Sequence, residues 1–357
     1  MRNNINRKKI LKLFVLGAGA SYAASQVKRA IAQSDPVYEA PLDAAFAHRI
    51  KSIVLQQPTW ISEARDRLLA TWKHEAPFES LGLERAILIQ LAHLEFIHAI
   101  HPRRSRELIS RHEWMNLVSH VACIILRRCR QNSARLYERF AEWCLPTPEQ
   151  TNGWDNRIIT FNYDTLLDSI LLKRIPATDL YFDAIRNRQD TPSRAKQEYP
   201  ILLKLHGSIN WRCTEEAFGK IIEGSIHDEI YEIPEIWLDE MRVPEPGDKV
   251  APLILPPLPS KPISGIKLFR YLWTCAYEYL YEAEELVIIG YSLPNADQMS
   301  VSMFSNFQSQ RLKKVVIIDP STAVLARWRS TLRRRGIKIV EWAYYETFRD
   351  YLDAQRA

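Results

Sequence analysis

The chain is poor in cysteine and glycine, with five and eleven among 357 residues. Cys123, Cys129, Cys144, Cys213 and Cys275 form no Cys-x-x-Cys pair. Their odd number and wide spacing argue against a disulfide framework and a paired-cysteine zinc site, so no metal is expected and a reducing cytoplasm is. No run approaches the roughly 20 apolar residues of a membrane-spanning helix, so no membrane partner is expected. Arg2, Arg7, Lys8 and Lys9, an apolar stretch and Ala18-Gly-Ala20 imitate a secretion signal. Lys12 and two glycines interrupt that stretch, and it reads as a strand and turn instead. Excess charge of one sign is small. A net +6 permits weak attraction of anions and does not imply nucleic acid.

What is present fits a folded globular chain, with 46% hydrophobic residues and ten tryptophans. The stretch Lys12–Ser21 organises the rest. A short apolar run stops at Gly17-Ala-Gly19, and helical composition follows. Strand, glycine turn and helix are predicted, with the helix opening near Ser21. Its N-terminal N–H groups and dipole would face phosphate. The full dinucleotide fingerprint is incomplete, because Tyr22 stands where a third small residue belongs.

Residues 36–150 read as a helical insertion. Leu83, Ile87, Leu91 and Leu94 mark one apolar face, and Val118, Ala122, Ile125 and Leu126 mark another. Residues 1–35 and 151–357 read as one discontinuous Rossmann-like domain. Strands are predicted over 157–161, 200–205, 285–290, 313–318 and 337–342, with helices between and after them. Seven prolines between Pro244 and Pro262 make 214–265 a proline-rich loop or lid. The fold class is therefore α/β, a parallel sheet with helices on both faces. Ligands of such sheets bind beyond the carboxyl ends of the strands. Those ends carry Gly17–Ser21, Asn162–Asp164, His206–Ser208, Gly290–Ser292 and Asp319.

Thr160, Asn162 and Asp164 are spaced by two, so an extended chain presents them on one face and Phe161 and Tyr163 on the other. An amide orients water or a hydroxyl through donor and acceptor at once. His206 adds a group that titrates near neutral pH and accepts a proton. Amide, carboxylate and imidazole beside a phosphate-binding turn suit cleavage of an activated glycosidic bond, of which nicotinamide–ribose is one. Plainer roles stand beside these: a helix cap for Asn-x-Asp, a turn for His-Gly, and room for a helix at Gly290. His93, His98, His101, His112 and His120 lack zinc-helix spacing, and the arginine clusters read as solvated helix ends rather than nucleic-acid contacts.

Gly17-Ala-Gly-Ala-Ser21, Thr160-Phe-Asn-Tyr-Asp164, Leu205-His-Gly-Ser208 and Gly290-Tyr-Ser-Leu293, in that order, resemble the sirtuin superfamily. The likeness is strongest to the sirtuin-like branch of bacterial anti-phage defence, which cleaves NAD to nicotinamide and ADP-ribose. The resemblance implies NAD as substrate. Gly17, Ala18, Gly19, Ala20 and Ser21 would hold its phosphates and neighbouring ribose, with Thr160, Gly207 and Ser208 at the pocket. Asn162 would orient water or ribose, Asp164 would support the nicotinamide end, and His206 would be the base. Gly290 and Ser292 would approach the adenosine side, and Asp319 its ribose. The paired-cysteine zinc module of deacylating sirtuins is missing, as is their Pro-x-Phe-Arg element. That weakens protein deacylation and leaves NAD hydrolysis. The resemblance also implies a homo-oligomer and a defence partner such as a translocase or Argonaute-like protein. The alternative is a non-catalytic NAD or ADP-ribose sensor or assembly module.

Overall fold

The structure is a computed structural model that describes residues 12–25, 99–100, 135–144, 156–181, 200–223, 231–233, 236–238, 250–255, 263–295, 297–333 and 337–356. The chain runs through β1 (Lys12–Leu16), α1 (Ala18–Ser25), α2 (Arg135–Cys144), β2 (Asn156–Thr160), α3 (Leu166–Leu171), α4 (Ala177–Leu180), β3 (Leu202–Lys204), β4 (Gly207–Thr214) and α5 (Glu215–Glu223). It continues through β5 (Trp237–Leu238), β6 (Val250–Ile254), α6 (Lys267–Glu282), β7 (Glu285–Ile289), α7 (Gln298–Asn306), β8 (Lys314–Ile318), α8 (Thr322–Arg333), β9 (Glu341–Tyr345) and α9 (Phe348–Ala354). Apart from α2 and 99–100, the expected helical insertion, with both apolar stripes, lies outside the described residues.

Six strands form the main sheet in the order β3-β2-β1-β7-β8-β9. Every neighbouring pair is parallel. β1, β7 and β8 are apolar runs because both sides of the sheet are covered. The register shows how. Phe14 lies opposite Ile158 on one face, and Leu13 opposite Arg157 on the other. From α2, the rings of Phe140 and Trp143 meet Phe14 edge-on, at 5.0 and 5.8 Å. From α6, the Tyr279 ring lies 5.9 Å from the Arg157 guanidinium on the opposite face. Leu13, Phe14, Val15 and Leu16 are fully buried, each such side chain contributing about 1.5–3 kcal/mol.

Two sequence expectations are corrected. The stretch 214–265 contains regular elements: α5, β5 and β6. β4 pairs antiparallel with β5 and β6 in a separate three-stranded sheet. Pro252 sits in β6, an edge strand, where a missing N–H costs no ladder bond. The last strand begins at Glu341 instead of Ile337, because Val340 N and Glu341 N both donate to Lys313 O and set its register against β8.

The chain crosses between the halves of the sheet where β1 lies between β2 and β7. At that switch point Gly290 has φ +57°, and a Cβ there would sit 2.3 Å from Ala20 N. Gly290→Ala therefore combines left-handed strain with a backbone clash. It is expected to destabilise the fold by about 3 kcal/mol or more, read as a lower urea midpoint.

Candidate active site

The strand ends at this edge are tied together by backbone bonds. Gly17 N donates to Ile289 O and Phe161 N to Leu16 O, at 3.0 and 3.1 Å, and Leu205 N donates to Thr160 O at 3.1 Å. The ladder thus runs past the ends of β1 and β2. Residues 160–164 keep the alternation that an extended chain imposes, and their side chains divide between two clusters.

One cluster is polar. Asn162 Nδ2 donates to Gly17 O at 2.8 Å and to Ser21 Oγ at 3.0 Å. Ser21 Oγ also lies 2.9 Å from the hydroxyl of Tyr137 on α2. Thr160 Oγ1 donates to Leu16 O and accepts from Asn162 N. Asp164 Oδ1 accepts from Leu166 N at 3.0 Å, at the start of α3. Lys204, fully buried, donates to Asp164 O at 2.5 Å and to the Asp168 carboxylate at 3.0 Å. Asp168 also accepts from the Tyr181 hydroxyl, which in turn accepts from Asn210. Ser208 Oγ donates to Asn210 Oδ1. A cavity of about 10 Å³ lies among Ser21, Tyr137, Thr160, Asn162, Asp164 and Lys204. Burial pushes the Asp164 carboxyl above its ordinary value, and the Lys204 charge opposes that shift. Burial also holds the Tyr137 hydroxyl protonated well past the usual tyrosine range.

The other cluster is aromatic. The His206 ring lies 5.2 Å from Phe161, 6.0 Å from Tyr163 and 6.4 Å from Trp273. Its Nε2 is 3.4 Å from Asp297 Oδ2. The main chain is fixed as well. His206 O accepts from Leu255 N at 2.7 Å, and Trp273 Nε1 donates to Leu205 O at 3.2 Å. Asn162 and Asp164 thus share one face, and His206 joins Phe161 and Tyr163 on the other.

The remaining expected residues fall as follows. The first helix begins at Ala18 rather than Ser21. The N–H groups of Gly19 and Ala20 are used internally, donating to Gly290 O and Gly17 O at 3.0 Å each. Gly290 O takes the Gly19 N–H where the two turns meet, and the Ala20 N–H closes the turn onto Gly17. Gly207, with φ +79°, opens β4, and a Cβ there would meet Leu253 O at 2.2 Å. Ser208 is buried in the polar cluster. Ser292 is exposed, and its carbonyl accepts from Arg327. Asp319 follows β8, where it accepts from Ser321 N and, through its carbonyl, from the Tyr344 hydroxyl. Ser292 and Asp319 therefore bond to α8 and β9 elements rather than to Asn162 or His206.

Tyr137, Asp168, Lys204 and Asp297 were not singled out from the sequence. Lys204 carried a signal, a lone cation inside an apolar run expected to be covered on both faces. Cys213 and Cys275 are buried thiols pushed up to about 12 and about 11, values that disfavour thiolate ligands. Among the described residues no group of three or more His, Cys, Asp or Glu is placed to hold a metal ion. No described helix is long and apolar enough to cross a membrane.

The raised Asp164 carboxyl gives a signed expectation. The folded chain holds this proton above the unfolded value near 3.8, so it binds more protons than the unfolded chain in that window. Stability from this group is therefore lost as pH rises from about 4 through the folded value. Asp164→Asn keeps an acceptor for Leu166 N and removes the titration. Its urea midpoint relative to the parent is expected to rise as the pH is raised from about 4 through the folded value.

A family model described as SIR2-like domain matches residues 156–340. None of the curated proteins compared with the chain matches it. A solved structure described as "The Structural basis of Sirtuin Substrate Affinity" is similar at 12% identity, covering 98% of this chain and 93% of that one, with a TM-score of 0.33. The SIR2-like match takes in more than half of the chain, from β2 through the His206 and Gly290 turns to the residue before β9, and the protein belongs to the SIR2-like domain family.

Proposed function

We propose that the chain binds NAD+ at the carboxyl edge of the main sheet and hydrolyses its nicotinamide–ribose bond. Family membership supports NAD-related chemistry. The observation that carries the finer reading is the seat of Asn162. Its amide is bonded to the Gly17 carbonyl and Ser21 hydroxyl of the β1 turn, while Asn162 itself follows β2, the neighbour of β3, whose end carries His206.

The cavity beside Asn162, about 10 Å³, approaches the volume that one water molecule needs, and polar groups line it. It suits a water rather than a nicotinamide ring, which would lie outside it against Asn162. A water at the ribose, between the two faces, bonds through its oxygen to the ribose carbon as the carbon–nitrogen bond breaks. That bond's electron pair returns to the pyridinium nitrogen, giving neutral nicotinamide. The proton released from the water passes to His206 and then to solvent, leaving ADP-ribose. Asn162 and Asp164 act from one face of the segment and His206 from the other, so the ribose would straddle its edge. Catalysis then rests on positioning and on stabilising the oxocarbenium-like charge.

The motifs Asn162-Tyr-Asp164, His206-Gly-Ser208 and Gly290-Tyr-Ser-Leu-Pro294 support a role in cytoplasmic anti-phage defence through NAD depletion. In that role the chain would act as a homo-oligomer or with a defence-system partner. A non-catalytic NAD or ADP-ribose module is the second reading. The division of amide and imidazole between two faces favours it.

Chromatography of NAD, nicotinamide and ADP-ribose after incubation with the chain separates these readings. Stoichiometric nicotinamide and ADP-ribose are expected from the parent. Asn162→Ala and His206→Ala are each expected to lower the rate by about 100-fold or more in protein that still melts cooperatively, His206→Ala at a lower temperature because it leaves a cavity and unpairs Asp297. NAD binding by calorimetry with no nicotinamide release, even with partner and nucleic acid present, would establish the binding module instead.

A further inference from the structure

Asp297 immediately precedes α7. In the fold it is almost completely buried and lies beside His206. Its Oδ2 faces His206 Nε2 at 3.4 Å. The same oxygen accepts from the Tyr291 hydroxyl at 3.0 Å and from Ser300 Oγ at 2.6 Å. Two hydroxyl donors on one oxygen hold the carboxylate in one orientation. The elements that present these groups are themselves fixed. Tyr291 stacks on Phe161 with ring centroids 4.2 Å apart, and Ser300 lies in the first turn of α7.

We propose that Asp297 is the positioning residue of His206. It holds the imidazole against the Phe161 and Tyr163 rings and stabilises the imidazolium formed when His206 takes a proton. This rests on the hydrolase reading for its consequence in catalysis, but the pair itself can be tested without turnover. Among the described residues, Phe161, Tyr163 and Trp273 ring the imidazole. Phe161 and Trp273 do not titrate. The Tyr163 hydroxyl donates to Leu255 O and the Tyr291 hydroxyl to Asp297. Lys204, two residues earlier, sends its ammonium to Asp164 and Asp168 in the other cluster.

The sign of the effect distinguishes positioning by charge from simple packing. Asp297→Asn removes the charge while keeping an acceptor for Tyr291 and Ser300, so the imidazolium becomes easier to deprotonate. Ser300→Ala removes one donor from the carboxylate and leaves the charge more available to His206. With ¹⁵N-histidine-labelled chain, and the His206 signal identified by its loss in His206→Gln, the ring titration is followed by NMR. Asp297→Asn is expected to move it to lower pH by about one unit, and Ser300→Ala to higher pH. The acid limb of kcat/KM for nicotinamide release should shift in the same two directions, with kcat falling at least about tenfold in Asp297→Asn. Titration at the parent's pH in both variants, or a shift of the same sign in both, would overturn the proposal. If Asp297→Asn does not fold, the upward shift in Ser300→Ala remains decisive. A chain that releases no nicotinamide yet shows the opposed shifts keeps the pair and loses the hydrolase.

Discussion

The site depends on a close contact between two turns. Gly290, at the end of β7, lies so near α1 that an added Cβ would fall 2.3 Å from Ala20 N and 2.5 Å from Gly19 C. From the other side, a Cβ on Gly19 would meet the Gly290 α-carbon at 2.8 Å. This contact occurs where the strand order changes direction, the place at which open parallel sheets bind their ligands. It lets the turns after β1 and β7 share one edge, and it fixes the course of the chain that follows Gly290. Tyr291 then stacks on Phe161, and Asp297 reaches His206.

Extended-chain geometry does the rest of the sorting. Thr160, Asn162 and Asp164 enter a buried polar network, while Phe161 and Tyr163 enter a ring cluster around His206. The polar network carries a full ion pair, Lys204 with Asp168, at 0% and 2% side-chain exposure. Such a pair adds little net stability, but removing one partner strands a charge, at about 3–5 kcal/mol. Its consequence here is geometric. Lys204 also holds the Asp164 carbonyl, so the ion pair on β3 sets the backbone next to Asn162.

Much of this was legible beforehand. The apolar runs at Lys12, Arg157, Glu285 and Lys314 announce strands because both faces are covered, and each stops at polar or glycine residues. The shared face of Thr160, Asn162 and Asp164 follows from a period of two. The second sheet was not legible. Prolines around β6 mask a strand that survives because it lies at a sheet edge, and buried Asn210 and Arg212 break the apolar pattern of β4. Asp297 was not legible as a partner of His206 either, since 90 residues separate them and only the Gly290 turn brings them together.

The sequence by itself determined the parallel α/β class, the positions of the main strand ends and the residue types that meet there, because burial and backbone periodicity are written locally in side-chain order. Tertiary structure decided which of those residues face one another. It set Gly290 against Gly19, placed Asn162 with Ser21 and Tyr137, and carried His206 to the opposite face beside Asp297. Those pairings come from close backbone approach and from the turn at Gly207 into a second sheet, contacts between segments far apart in the chain that no local pattern encodes.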